Sequence, residues 1–142
     1  TQSRSSAASD VYKRQGLQKG YLTAFTRSGS KIPGFGGATD FGGEGGQWTS
    51  GYVNRSLEKI ITTGSTLGGE EADVVVGRFN LDGTPDTAFG ENRGWGRIAL
   101  GDSVEVAWSS SAEVNGKTII CGIDFESGRA RLGFLLRCNT DS

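Results

Sequence analysis

The sequence contains no histidine among its 142 residues, and this absence restricts the available chemistry most. Histidine is the commonest general base and the commonest metal ligand among side chains. A Ser-His-Asp triad is therefore impossible within these residues, and no other catalytic constellation stands out. The sequence predicts no catalytic residue, no metal ligand and no cofactor-binding residue.

Long apolar runs and an excess of one charge are also lacking. No apolar run approaches the roughly 18 residues of a membrane-spanning helix, so no membrane span is expected. The 15 basic and 16 acidic residues give a net charge of −1. Because nucleic-acid-binding surfaces concentrate positive charge, nucleic acid is not an expected partner. A protein or a glycan of unknown identity remains the expected partner.

Helical periodicity is missing, whereas glycine is abundant. No segment shows a sustained apolar period of 3.6 residues, so little helix is expected. Glycine accounts for 24 residues, well above its usual share of about 7%. The glycines separate short apolar runs, which is typical of many turns and short strands. The predicted fold class is all-β.

Cysteine is scarce, with only Cys121 and Cys138 present. A turn at Ser127-Gly128 would pair Cys121 near Phe134 and place Cys138 about four residues further along. At about 3.3 Å per residue, this separation exceeds the roughly 7 Å between Cα atoms that a disulfide tolerates. We therefore expect two free, buried thiols, and an unreactive Cys121.

The stretch Asp73–Gly90 organises the chain. Its three consecutive valines, Val74–Val76, predict a strand covered on both faces, within a longer strand Asp73–Asn80. Asp82-Gly83 predicts a tight turn after this strand, since glycine adopts the positive φ that such turns need.

Parts of this stretch recur along the sequence. Three pairs of segments share residues at matching spacing: Phe25–Gly36 with Phe79–Gly90 at an offset of 54, Lys59–Gly64 with Lys117–Gly122 at 58, and Arg78–Gly83 with Arg137–Ser142 at 59. An internal period of this size predicts a repeat architecture.

The predicted repeat unit is a four-stranded antiparallel blade. A hairpin of Trp48–Asn54 with Lys59–Gly64 leads to the long strand and then to a short strand, Gly96–Leu100. A unit of four short strands in about 55 residues has the size of a propeller blade. The predicted architecture is therefore a repeat of four-stranded antiparallel blades, a partial β-propeller.

The expected domain boundaries follow the repeat. Residues 1–15 resemble translated sequencing-adapter sequence and are expected to be a disordered, non-native tail. Residues 16–47 would be the trailing half of a blade, 48–101 a complete blade, and 102–142 a truncated one. In this last blade Asn115-Gly116 predicts a type I′ turn, and a bulge or widened hairpin is expected at Ser109–Ala112.

The segment Arg78–Gly90, RFNLDGTPDTAFG, resembles the signature of the bacterial delta-60 repeat, which has Arg-aromatic-Asn, then Asp-Gly, then Asp-x-x-Phe-Gly. Asn115–Gly122 stands where that family has Asp-Gly-Lys and an apolar strand ending in glycine. The copy at Phe25–Gly36 lacks the Asp-Gly, and the copy at Arg137–Ser142 has serine in place of its glycine. The resemblance implies a β-propeller-like array in large, exported or surface-associated bacterial proteins, with further blades and no known activity.

The residues of this motif are expected to be structural: Arg78, Phe79, Asn80, Asp82, Gly83, Asp86, Phe89, Gly90, Gly116, Lys117 and Gly122. Recurrence of Arg78 as Arg137 indicates a structural hydrogen bond or ion pair. The oxygens of Asn80, Asp82 and Asp86 could suit calcium. Arg78 stands where an EF-hand has its first aspartate, so turn chemistry is the favoured interpretation.

Three functions are compatible with this pattern. The favoured one is a non-catalytic propeller-type repeat scaffold for binding or surface interaction, part of a larger bacterial protein outside the cytoplasm. One alternative is a propeller enzyme whose active site lies outside these residues. The other is a carbohydrate-binding module using Trp48, Trp95 or Trp108, although packing in the core or at the rim of the sheets is the favoured role for these rings.

Overall fold

The computed structural model describes residues 18–67, 72–101, 104–112, 117–126 and 129–141, and these are all-β. The strands are β1 (Gly20–Leu22), β2 (Gly37–Thr39), β3 (Gly46–Asn54), β4 (Lys59–Thr66), β5 (Val74–Asn80), β6 (Trp95–Ile98), β7 (Val104–Ala112), β8 (Lys117–Glu126) and β9 (Arg129–Asn139). The helical content of these residues is one irregular turn, Gly90–Gly94. The all-β prediction is confirmed, and in the described part no helix is long and apolar enough to cross a membrane.

The strands of each sheet are antiparallel, and neighbouring strands follow one another along the chain. β1 and β2 form a small sheet, β3–β4–β5–β6 the central sheet, and β7–β8–β9 the outer sheet. Among the described strands no sheet closes on itself. The predicted turns at Asn115-Gly116 and Ser127-Gly128, and the predicted tail at residues 1–15, lie outside the described residues.

The predicted hairpin at the start of the central sheet is confirmed, with Asn54 paired to Lys59. Its four-residue turn is held by the Asn54 side chain, whose Oδ1 accepts the main-chain N–H groups of Ser56 and Leu57 at 3.1 and 3.2 Å. Such local bonds replace the ladder bonds that a turn interrupts.

Strand β5 is buried on both faces, as the valine run predicts. On one face Val74 and Val76 join a core cluster with Ile61, together with Ala107 and Ile120 of the outer sheet. On the other face lies an aromatic cluster: Val75 packs with Phe41, Trp95 and Trp48. The central sheet is therefore the middle layer of the described structure.

The outer sheet packs on the central sheet through polar anchors as well as through this core. Thr49 Oγ1 donates to the main-chain oxygen of Ala107 at 2.7 Å, and Ser65 Oγ accepts the Ala107 N–H at 3.0 Å. The hydroxyls of Tyr52 and Thr118 lie 2.6 Å apart. These bonds fix how one sheet lies against the next.

Both sheets begin with a hairpin that has the same register and the same bulge. The central sheet pairs Trp48 with Gly64 and then Ser50 with Thr63, skipping one residue. The outer sheet pairs Ala107 with Gly122 and then Ser109 with Cys121. The next strands match too: Lys59 pairs with Asn80, and Lys117 with Asn139.

The bulge lies at Trp108, so its predicted position at Ser109–Ala112 is wrong. Its physical cause is the glycine opposite. A Cβ atom on Gly122 would overlap the main-chain oxygen of Val106, and one on Gly64 would overlap that of Gln47. Only glycine admits this close approach of the bulged strand.

The turn after β5 also has a counterpart, 54 residues earlier. Each turn is closed by an isolated bridge, Phe25–Lys31 in the first and Phe79–Pro85 in the second. Three main-chain hydrogen bonds of the first turn recur in the second. In the first turn they join Thr26 N to Ser30 O, Gly29 N to Thr26 O and Ile32 N to Ala24 O. The matching bonds of the second turn join Asn80 N to Thr84 O, Gly83 N to Asn80 O and Asp86 N to Arg78 O. Gly29 and Gly83 share a φ of 86°.

Both thiols are free, as predicted, but their predicted burial is wrong. Cys121 is exposed and Cys138 is half-buried. Cys121 pairs with Leu135 on the face of the outer sheet that no described residue covers, and an apolar strand pattern does not reveal which of its faces has a neighbour. The predicted lack of reactivity of Cys121 required burial and is not supported. Burial does raise the pKa of the Cys138 thiol.

Candidate functional site

The motif residues converge on a charged network around Arg78 at the end of β5. The Arg78 side chain is 8% exposed, and its Nε donates to Asp86 Oδ2 at 2.9 Å. Its Nη1 donates to the main-chain oxygen of Thr140, at the end of the outer sheet, also at 2.9 Å. Lys59 Nζ lies 3.2 Å from the same Asp86 oxygen. Arg78 thus makes both an ion pair and a hydrogen bond between sheets, the contacts that its predicted structural role requires.

The turn after β5 brings these groups together. The chain reverses at Leu81–Gly83, where Gly83 adopts a positive φ, and Asp86 N then bonds back to Arg78 O at 2.9 Å. This bond places the Asp86 side chain, in the turn region, beside that of Arg78 on β5. Phe89 completes the site, with its ring centre 4.9 Å from the Arg78 guanidinium carbon. Such a contact is a cation–π interaction.

The two aspartates cap local main-chain groups, as turn chemistry predicts. Asp82 Oδ1 accepts the Thr84 N–H at 2.9 Å and the Thr84 hydroxyl at 2.7 Å. Asp86 Oδ1 accepts the Ala88 N–H at 3.1 Å. Within the described residues no group of three or more carboxylate or cysteine side chains is placed to hold a metal ion.

These bonds shift the ionisation of both carboxyl groups. The hydrogen bond from the Thr84 hydroxyl, followed by that from its N–H, lowers the pKa of Asp82. For Asp86, burial opposes ionisation, but the Ala88 N–H and the cations of Lys59 and Arg78 outweigh it and lower the pKa. Both groups are therefore stabilised as carboxylates in the folded chain.

The remaining motif residues have other surroundings. Phe79 is buried, with its ring centre 6.0 Å from that of Trp48. Gly90 has a φ of 63°, matching 65° at Gly36. Lys117 begins β8 opposite Asn139, while Gly116 lies outside the described residues.

Two residues of the Arg78 network, Lys59 and Thr140, were not identified from the sequence. Lys59 donates to Asn80 Oδ1 at 2.7 Å besides its contact with Asp86. Its recurrence as Lys117, at the start of the matching strand, was a usable signal. Thr140 contributes a main-chain oxygen, and since every residue type carries one, no residue pattern could have indicated it.

The three tryptophans have different surroundings. Trp95 is 5% exposed, and its ring lies 5.4 Å from that of Phe41. Trp48 is half-buried at 4.8 Å from the same ring. These two confirm the packing interpretation. Trp108 is 57% exposed and is the tryptophan available to a ligand.

The concave regions of the described part include a cleft and an open depression. A cleft of about 190 Å³ between the central and outer sheets is lined mainly by Val76, Phe89, Ile98 and Cys138. It is smaller than the roughly 300 Å³ of common ligand sites. An open depression of about 510 Å³ lies beside β1, with the exposed Tyr21 at its edge.

The Arg78 network thus connects two sheets, and its charged groups pair with one another. Such an arrangement is typical of a structural contact between sheets. A scan against protein-family models finds no matching family. A search of curated proteins finds no match either.

Proposed function

We propose that the chain is a non-catalytic scaffold of the β-propeller type, built from repeats of the delta-60 kind. It would serve binding or surface interaction outside the cytoplasm of a bacterium, as part of a larger protein. The observation that carries this proposal is the recurrence of sheet register, bulge and turn hydrogen bonds at offsets of 54 to 59 residues. Repeat arrays are built by stacking such units on their neighbours.

The Arg78 network supports a structural role for the motif. Arg78 and Asp86 bind each other, and Arg78 also reaches Thr140 in the next sheet. Asp82 is bonded within its own turn. A motif whose polar side chains hold turns and sheets together stabilises a scaffold and leaves the loops for recognition.

The placement of the sheets supports the propeller-type arrangement. Cross-sheet hydrogen bonds concentrate along the first strands of the two sheets, β3 and β7, through Thr49 to Ala107 and Ser50 to Ser110. In a propeller the inner strands of successive blades converge around a channel. Strands β3 and β7 would be the inner strands.

A chimera tests whether the two turns are copies of one repeat. Phe25–Lys31 and Phe79–Pro85 are both seven residues long, so the sequence FNLDGTP can replace FTRSGSK directly. If the turns are equivalent, the chimera keeps the wild-type circular dichroism spectrum, with a thermal midpoint unchanged or higher. A higher midpoint is expected because the introduced Asp-Gly adds the hydrogen bonds seen at Asp82.

The control inserts the same seven residues in reverse order. It has the same composition but no glycine at position 29, where φ is 86°, so its thermal midpoint should fall. A chimera that unfolds as readily as this control would contradict the repeat proposal.

Carbohydrate binding is the second candidate, favoured by the exposure of Trp108. Exposed aromatic rings stack on sugar faces, and a bound sugar changes the emission of such a ring. We expect any glycan-dependent change in tryptophan fluorescence to disappear in Trp108→Ala. No change across a broad glycan panel would remove this candidate.

A further inference from the structure

The cleft between the central and outer sheets is small and has apolar walls. Its volume is about 190 Å³, with Val76, Phe89 and Ile98 on one side and Cys138 of the outer sheet on the other. Val76 is 3% exposed, and the other three are half-buried. Such walls give water few hydrogen-bonding partners, so an apolar molecule gains free energy by filling the space between them.

The opposite side of the central sheet shows which side chains fill the corresponding layer. Trp48 and Phe79 lie there with their ring centres 6.0 Å apart, and Phe79 is 4% exposed. Matching registers place Ala107 of the outer sheet at the position of Trp48, and Cys138 at that of Phe79. By this correspondence, which rests on the proposed repeat, the outer sheet has small side chains where the central sheet has two aromatic rings.

One change in the opposite direction fills part of this space. Leu136 stands at the position of Gly77. A Cβ atom on Gly77 would lie 2.8 Å from the Trp48 side chain and 2.9 Å from that of Phe79, so glycine makes room for the two rings. Leu136 packs against the core cluster instead. The cleft beside Cys138 is the part of the layer that remains unfilled.

The charges around the cleft indicate an uncharged ligand. Arg97 lies at the rim, but its guanidinium nitrogens are already paired, at 2.6 Å with Glu44 and at 3.1 Å with Asp73. Burial raises the pKa of the Cys138 thiol, which therefore stays neutral near pH 7. No carboxylate belongs to the described lining of the cleft. An ionic ligand would lose hydration here without gaining a free partner.

We propose that this cleft binds one small, uncharged aromatic ring. The size is suitable, since an apolar cavity of about 150 Å³ is large enough to bind benzene. The Phe89 ring in the wall offers the offset or edge-on contact that aromatic pairs prefer. Asn139 at the rim is exposed, so a ligand enters from solvent without separating the two sheets.

Nuclear magnetic resonance of the methyl groups in the full chain, with benzene as the probe, tests this site. Benzene should shift the methyl signals of Val76 and Ile98 in a saturable manner and show intermolecular Overhauser effects to them. Leu135, 74% exposed on the uncovered face of the outer sheet, is the control for unspecific apolar contact, and its signals should not saturate. Absence of saturable shifts at Val76 and Ile98 up to the solubility limit of benzene would overturn the proposal.

Restoring a ring at position 138 supplies a second readout. Cys138→Phe should weaken benzene binding at least about tenfold, because the new ring occupies the closely packed space that the ligand needs. Cys121→Phe is the matched control. Cys121 is exposed and does not line the cleft, so this variant should change the dissociation constant less than about twofold. Unchanged binding in Cys138→Phe would overturn the site, and the wild-type methyl shifts decide the question if that variant does not fold.

Cyclohexane tests the chemical class of the ligand. It is a six-membered apolar ring without aromatic electrons, so it should bind at least about threefold more weakly than benzene. Equal dissociation constants for the two probes would overturn the aromatic preference.

This proposal and the repeat proposal fail separately. A folded chain that does not bind benzene contradicts the cleft site and leaves the repeat intact. A chimera of Phe25–Lys31 that unfolds contradicts the repeat, whereas the methyl shifts of the wild type test the cleft by themselves.

Discussion

The central and outer sheets share a register but have opposite surroundings. Val76 and Leu135 occupy matching places in the two sheets, yet Val76 is 3% exposed and Leu135 is 74% exposed. The pairing of strands is decided within each sheet by its turns, by its bulge and by the alternation of side chains between its two faces. Burial is decided by the neighbouring layer, which only the central sheet has on both faces in the described part.

The comparison also extends to polar side chains. In the central sheet Thr49 and Ser65 bond across to the next layer, whereas Trp108 and Ile123 stand at the matching places in the outer sheet. Hydroxyls fix one layer against a neighbour of defined register, and apolar side chains accept a wider range of neighbours. The two sheets therefore share one backbone plan with different interfaces.

The largest expected effect comes from breaking the connection between the sheets. Arg78→Met removes the bonds to Asp86 and Thr140 and leaves a largely buried carboxylate with Lys59 as its remaining cation. We expect a loss of about 3 kcal/mol in the free energy of unfolding, measured by urea denaturation.

Arg97→Met is the matched control for this substitution. Arg97 pairs with Glu44 and Asp73, but its side chain is 35% exposed, so the loss should be below about 1 kcal/mol. Equal losses for the two variants would show that Arg78 is no more important than a surface ion pair.

The next largest effect is a difference in stability between glycine substitutions in the two matching turns. Gly83→Ala introduces a Cβ atom that would overlap the main chain of Gly36, whereas Gly29→Ala meets nothing within 4 Å. Both glycines have a φ of 86°, so both variants carry the conformational cost of about 1 kcal/mol. Gly83→Ala should cost about 2.5 kcal/mol in all. The difference in urea midpoint between the variants measures the contact of Gly83 with Gly36, and identical midpoints would show that these two residues do not touch in solution.

A smaller difference is expected for the matching apolar positions. Val76→Ala removes buried methyl groups and should cost about 2 kcal/mol. Leu135 is 74% exposed, so Leu135→Ala should change stability by less than about 0.5 kcal/mol. A loss at Leu135 as large as that at Val76 would mean that this face of the outer sheet is covered in solution.

The smallest effect is the dependence of stability on pH. Folding lowers the pKa of Asp86 and Asp82 below the usual 3.8, so the unfolded chain binds more protons in that region. The stabilisation is present above the unfolded pKa and is lost as pH falls through the folded values. Stability measured between pH 5 and 2 should fall, and less steeply in Asp86→Asn. An equally steep curve in this variant would exclude Asp86 as a source.

Local features were predictable from the sequence where a single segment decides them. The valine run of β5 and the hairpin at Asn54 depend on residues close in the chain, and both are confirmed. The turn at Asp82-Gly83 was predictable for the same reason, since the hydrogen bonds at its tip, such as Gly83 N to Asn80 O, link residues within four positions.

Features that depend on contacts between distant segments were not predictable. The bulge at Trp108 depends on how closely Gly122 lets the opposite carbonyl approach. The exposure of Cys121 depends on which face of its sheet has a neighbour. The bond from Arg78 to Thr140 joins residues 62 positions apart and uses a main-chain oxygen, for which no side-chain pattern exists.

The central claim is that the two sheets repeat one register, and cross-strand nuclear Overhauser effects in the full chain test it most directly. We expect contacts between Thr62 and Gly77 in the central sheet, and between the matching Ile120 and Leu136 in the outer sheet. A shift of one residue between β8 and β9 would move every side chain of β9 to the other face, turning Leu135 toward the core. Finding that shifted register would contradict both the repeat and the exposure of Leu135.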